Sequence, residues 1–194
     1  MNFYFKEFIN RFFLIVFLLG GSIIFVLNFR IIFYLFSGFN AHKIADYNTI
    51  INYLNGWSKL SFRYYRIGPE AREHFVEVRH LVWALYAVTA IAMIPTIIYL
   101  KNLLKNKLII ILNDFIKLVN WVTVILSICV AMTFDLIFYY LHLLIFRNNY
   151  WIFDPKTDSI IKILPDTYFA LCALLIVGIF LTTLNLLKVI GKNL

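Results

Sequence analysis

Charged side chains make up only 14% of this 194-residue chain against 62% hydrophobic ones, and its mean hydropathy is +0.83. That shortage excludes a soluble globular domain, whose apolar share lies nearer half. Cysteine is almost missing as well: Cys129 and Cys172 stand singly in apolar runs, with no C-x-x-C and no metal-ligand spacing. A quinone-linked thiol oxidase, another small four-helix possibility, therefore lacks its redox pair. No serine sits in a nucleophile elbow or beside a candidate base, so the serine route to an acyl-enzyme is unsupported. No internal repeat is evident, and no polar stretch leaves room for a soluble domain. The net charge of +8 is scattered in small clusters between uncharged runs. It reads as topology and lipid headgroup contact rather than nucleic-acid binding.

What is present is apolar length. A spanning helix needs about 20 apolar residues, because the hydrocarbon core is roughly 30 Å thick and each residue rises about 1.5 Å. Residues 12–35, 81–100, 118–146 and 168–187 qualify. The first is too long for a signal-peptide core and no A-x-A-like site follows, so it is expected to be retained. The chain thus reads as one all-α integral membrane domain over 1–194, with four transmembrane helices. Residues 36–80 and 147–167 form an outer-face layer of interfacial or re-entrant pieces. Orientation follows from basic residues near the helix ends. Lys6, Arg11, Lys101, Lys105, Lys107, Lys117, Lys188 and Lys192 face only Glu7 and Asp114 on one side, which marks both termini as cytoplasmic. The two opposite regions mix both signs more evenly.

In the first outer region Ile44, Tyr47, Ile51, Leu54 and Trp57 recur at helical spacing, with Asp46, Asn48, Asn52 and Asn55 between them. This predicts an amphipathic helix ended by Gly56 and too short to span. Gly68 and Pro69 mark a second helix start, with Glu70 in its first turn. That helix runs into the second span and carries His74 and Glu77 on one face. Helix three ends in FDLIFYYLHLLIF, where Asp135, Phe138 and His142 share a face. Ionisable groups there are costly against lipid and should point inward. His74 and His142 can meet at one membrane level. A structural reading stands beside this: His74 as an interfacial histidine, and Asp135 with His142 as a pair that pins helix three. A metal site would need a third ligand from Glu77, Asp135 or Asp154. His42 and His80 read as surface residues. Two histidines without a nucleophile point to general acid–base catalysis on a substrate that brings its own.

Four separated blocks then carry a resemblance: DYNTIINYLNG (46–56), EHFVEVR (73–79), D-x-x-F-x-x-x-H (135–142) and W-x-x-D-P-x-x-D-x-x-I-x-x-x-P-D (151–166). Together, in this order, they resemble the lipoprotein intramolecular transacylase family, Lit. Asp166 stands where glutamate is expected and Arg79 where lysine is frequent. The resemblance implies a multi-pass cell-membrane enzyme acting on diacylglyceryl-modified lipoproteins, among membrane lipids and without a cofactor. It would move the sn-2 acyl chain from glycerol to the α-amino group of the same lipidated cysteine, leaving lyso-form lipoprotein. On that reading His74 and His142 are the paired base and acid, and Glu77 or Asp135 orients them. Arg79, Trp151, Asp154 and Asp158, carried by the matching blocks, are expected to orient or bind substrate. Arg63, Arg66 and Arg72 would steady peptide or anionic headgroups. A non-catalytic four-helix scaffold or chaperone, and an outer-face lipid hydrolase using water, are the competing readings.

Overall fold

A computed structural model describes residues 3–192. Among them the helices are α1 (Phe3–Asn28), α2 (Ile31–Phe36), α3 (Ala41–Leu54), α4 (Pro69–Lys105), α5 (Asn113–Met132), α6 (Phe134–Ile145) and α7 (Asp166–Lys192). Two 3-10 turns, Ile109–Leu112 and Ser159–Lys162, complete the regular structure, and no strand occurs among the described residues. Four segments are long and apolar enough to cross a membrane: Tyr4–Asn28, Pro69–Lys105, Ile109–Met132 and Asp166–Ile190. Their outward side chains agree with that, since Ile91, Ile94, Trp121 and Leu174 are 62% to 69% exposed. Apolar surface of that extent needs lipid or protein against it.

Two spans expected as single helices are interrupted, each at a polar residue. The run 12–35 is split: α1 stops at Asn28 and α2 restarts at Ile31. Between them Arg30 turns its guanidinium onto Asn48 Oδ1 (3.1 Å) and onto Asn52 Oδ1. A straight helix would leave that cation without these amides, so the bend satisfies it internally. The run 118–146 breaks at Thr133, whose φ of −135° and ψ of 34° leave the helical region. Asp135 then falls in the first turn of α6, where the free N–H groups favour a carboxylate.

The described residues fall into two compact units. One draws on residues up to 25, on 85–129 and on 174 onward. Its core is Leu14, Tyr99, Leu103, Leu112, Ile116, Phe180 and Leu184 with Ile109. Several polar groups within it find partners, as an apolar setting favours. Tyr99 donates to Glu7 (2.7 Å), Arg11 lies 3.5 Å from Glu7, and Asn120 and Asn185 exchange amide hydrogen bonds at 2.9 and 3.1 Å.

The other unit comprises 26–84 and 130–173 and holds all the residues singled out from sequence as site candidates. Phe33 stacks on Tyr47 with centroids 3.8 Å apart, and the Tyr47 and Tyr168 hydroxyls share a 2.8 Å hydrogen bond. α3 begins on the side chain of Asn40, which accepts from Lys43 N, and ends at Gly56 with φ +81°. There Gly56 N and Trp57 N donate back to Tyr53 and Asn52, a left-handed cap that glycine enters without strain. The face assignment made from spacing needs correction. Trp57 is 70% exposed, whereas Asp46, placed on the polar face, is fully buried. Its carboxylate accepts from three consecutive backbone amides, Arg63 N (2.8 Å), Tyr64 N (2.8 Å) and Tyr65 N (2.9 Å). No competing water reaches a buried acceptor of this kind, so it holds the segment after α3 in place.

Asp46→Ala leaves three amides without their acceptor and should destabilise the protein by about 3 kcal/mol or more, read as a lower midpoint in thermal or denaturant unfolding in detergent. Asp46→Asn, which keeps one acceptor oxygen, should lose less.

Candidate active site

The start of α4 sets the site. Pro69 opens the helix, where its missing N–H costs nothing, and the preceding Gly68 N donates to Asp158 Oδ1. A Cβ on Gly68 would sit 3.0 Å from that same oxygen, a tight contact that would push the Asp158 side chain back by a few tenths of an ångström. Asp158 is buried and also accepts from Thr157 Oγ1 (2.9 Å). Asp154 closes the turn, accepting Lys156 N on its side chain and Asp158 N on its carbonyl. These two carboxylates therefore shape the 154–158 turn, and the residue ahead of it, Phe153, lies 5.8 Å from the His74 ring.

His74 is 8% exposed and edged by Phe146 at 4.6 Å. Its ring centroid lies 6.0 Å from that of His142, so α4 and α6 do bring the two histidines together. His142 Nδ1 is 2.7 Å from the Phe138 carbonyl. In that pairing Nδ1 carries the hydrogen, because a carbonyl oxygen only accepts, and Nε2 is the ring nitrogen left for another partner. The Trp151 ring lies 5.0 Å from His142, and its Nε1 donates to the Asn148 carbonyl. Asn148 in turn donates its side-chain amide to Glu77 Oε1 at 2.7 Å. The other carboxylate oxygen, Oε2, lies 3.8 Å from His74 Nδ1, and both atoms are buried with no hydrogen-bond partner. That separation is too long for a hydrogen bond and too short for an intervening water, so a shift of under an ångström completes the contact.

Of the residues expected from sequence, His74, His142, Glu77 and Trp151 gather in one place. Asp135 does not join them: it is exposed and lines a different cavity of about 460 Å³ with Asp166 and Thr167. Seven residues along α6 separate it from His142 by roughly 10 Å, and the Phe138 carbonyl takes the place it was expected to fill. Arg79 packs its guanidinium over Tyr53 (4.6 Å) and Trp83 (5.1 Å), which ties α3 to α4. His42 and His80 are exposed. Among the described residues no group of three or more His, Cys, Asp or Glu side chains could hold a metal ion. Asn148, Phe146 and Phe153 were not foreseen. Their only sequence signal is position, on either side of Trp151.

Four helices able to cross a membrane, with only helices and 3-10 turns among the described residues, define a multi-pass membrane protein, and it carries a histidine pair set among aromatic rings. Residues 8–169 match the family described as "Lipoprotein intramolecular transacylase Lit", and the chain belongs to that acyltransferase family. Its fold is that of the membrane-integral lipoprotein intramolecular transacylase Lit from Bacillus cereus, solved in meso, at 22% identity and a TM-score of 0.84 over 99% of this chain and 96% of that one. Two structures of the Bacillus cereus protein with one histidine replaced also match at 23% identity. The alanine variant gives a TM-score of 0.79 over 100% of this chain and 97% of that one. The arginine variant gives 0.78 over 98% and 93%. No curated protein matches the chain.

Proposed function

We propose that this chain is a lipoprotein intramolecular transacylase that moves the sn-2 acyl chain of a diacylglyceryl-cysteine lipoprotein onto that lipoprotein's own α-amino group. The observation that carries the reading is the pair of neutral-capable histidines 6.0 Å apart among Phe146, Phe153, Phe138 and Trp151, rings that offer no nucleophile. A pocket of that kind suits a substrate that supplies both nucleophile and ester.

The chemistry needs a proton taken and a proton returned. The substrate α-amine has a pKa of roughly 8 and must be neutral to attack, and an imidazole of either histidine can accept the proton it sheds. The amine nitrogen bonds to the ester carbonyl carbon, the tetrahedral intermediate collapses, and the bond from that carbon to the glycerol oxygen breaks. The leaving alkoxide recovers that same proton, passed from the imidazolium so formed through the second ring, so both imidazoles end as they began. Ester becomes amide, which is downhill, so no cofactor or energy source enters. His142, with Nδ1 held by the Phe138 carbonyl, has Nε2 as its nitrogen for proton transfer. His74 is steered from its Nδ1 side by Glu77, and Glu77 by Asn148. Binding amine and ester as parts of one molecule supplies much of the acceleration by proximity. The lysine and arginine distribution supports a pocket at the outer face, with both termini cytoplasmic.

Expressed in a bacterium whose lipoproteins carry only diacylglycerol, the protein should convert them to the N-acyl monoacyl form, read by mass spectrometry. Unchanged lipoprotein mass would support the scaffold reading, and free fatty acid release the hydrolase one. His74→Ala and His142→Ala should each lower conversion by at least about 10²-fold with membrane folding retained. Turnover should rise from pH 6 to 8 with deprotonation of the substrate amine. Asn148→Ala, which frees Glu77, should lower kcat more than it raises KM; equal conversion by Asn148→Ala would remove that positioning role.

A further inference from the structure

A second cavity of about 560 Å³ lies in the same unit, lined by Leu60, Phe62, Tyr65 and Ile67 together with Arg66, Arg72 and Lys156. No carboxylate lines it. Asp154 and Asp158, beside Lys156 and Thr157, are engaged by Lys156 N, by Gly68 N and by Thr157, while Glu70 and Glu73, on either side of Arg72, are exposed and are not among the lining residues. Arg72 is held in place by donating Nη1 to the Leu60 carbonyl (2.7 Å), which leaves the rest of its guanidinium for a ligand. The walls are equally pinned: Arg66 N donates to Ser159 Oγ, and Ile160 N donates to the Arg66 carbonyl. Arg63, in the same segment, is not part of the lining and lies over the Tyr64 ring instead.

Three cations with no balancing acid in one cavity repel one another unless an anion joins them. Leu60, Phe62 and Ile67 beside them make the cavity amphiphilic rather than simply basic. In a chain that spans a membrane, the anion that combines a phosphate with an apolar body is a phospholipid. We infer that this cavity binds the phosphate of an anionic phospholipid headgroup, with Arg66, Arg72 and Lys156 as its ligands. Arg72 and His74 are two positions apart on α4, so they project from nearly opposite sides of the helix. The bound lipid is therefore separate from the substrate at the histidines. It bridges the 60–67 segment, the first turn of α4 and the 154–158 turn, three pieces on which the position of Phe153 depends.

The inference is read without any activity, so its failure is distinguishable from failure of the transacylase reading. The full chain is purified from bilayers containing equal phosphatidylglycerol and phosphatidylcholine, and retained lipid is counted by native mass spectrometry. The wild type should hold phosphatidylglycerol roughly tenfold over phosphatidylcholine, as expected for several basic contacts to one anionic headgroup. Arg66→Gln with Arg72→Gln and Lys156→Gln should abolish the preference, whereas Arg63→Gln should keep it. If the triple variant does not fold, Lys156→Gln alone should lower the preference severalfold. Equal retention of both lipids by the wild type overturns the site, as does equal loss in Arg63→Gln, which would indicate diffuse surface charge. Displacement of the lipid by inorganic phosphate would show a free-anion site, and displacement by an acidic peptide a peptide site. Either result also overturns the inference.

Discussion

The histidine pocket depends on Asp46 and the three amides it gathers from residues 63–65. That contact anchors the segment after α3, which delivers Gly68 to Asp158 and so sets where α4 begins. The start of α4 fixes the register of His74 and Glu77 along the helix. Through Asp158 the same contact reaches the 154–158 turn, whose preceding residue, Phe153, covers His74. A buried carboxylate with three backbone donors is strong where no water competes. It is also brittle, since removing it leaves three polar groups unpaired at once.

Around this anchor the same constraint recurs: a polar group in apolar surroundings must find its partner within the chain. Arg30 bends the chain between α1 and α2 toward Asn48 and Asn52. Thr133 interrupts the third apolar run, and Asp135 occupies the first turn that results. Among the described residues the rule is not met at Arg11 Nε and Arg79 Nε, nor in the pocket, where His74 Nδ1 and Glu77 Oε2 face each other without a hydrogen bond. Unsatisfied buried groups cost free energy in a resting protein. A catalytic site can tolerate that cost if the groups are completed when substrate binds or a proton moves.

Much of this was legible in the amino-acid order. Four apolar runs announced four spans, Gly68 and Pro69 announced the start of α4, and Gly56 announced the end of α3. The two histidines stood out because ionisable groups are so few. Asp135 misled because it shares a helix face with His142, and a shared face says nothing about distance along the axis. Asp46 misled in the opposite direction: its spacing among asparagines put it on a polar face, but its partners are backbone amides 17 to 19 residues away. Asn148 carried no signal at all, since an asparagine after a span end is ordinary until its amide is seen on Glu77.

Composition and periodicity by themselves determined that the chain is helical and membrane-spanning, because hydrophobic length against bilayer thickness is a local property of consecutive residues. Motif order also determined its family. Only the tertiary structure decided which polar groups meet. It chose Glu77 over Asp135 as the histidine's neighbour, turned Asp46 inward, and separated Arg66 and Arg72 from Arg63 by lining a cavity with the first two alone. Pairings of this kind depend on helix register and on turns that close over long stretches of chain, and no short window of sequence contains them.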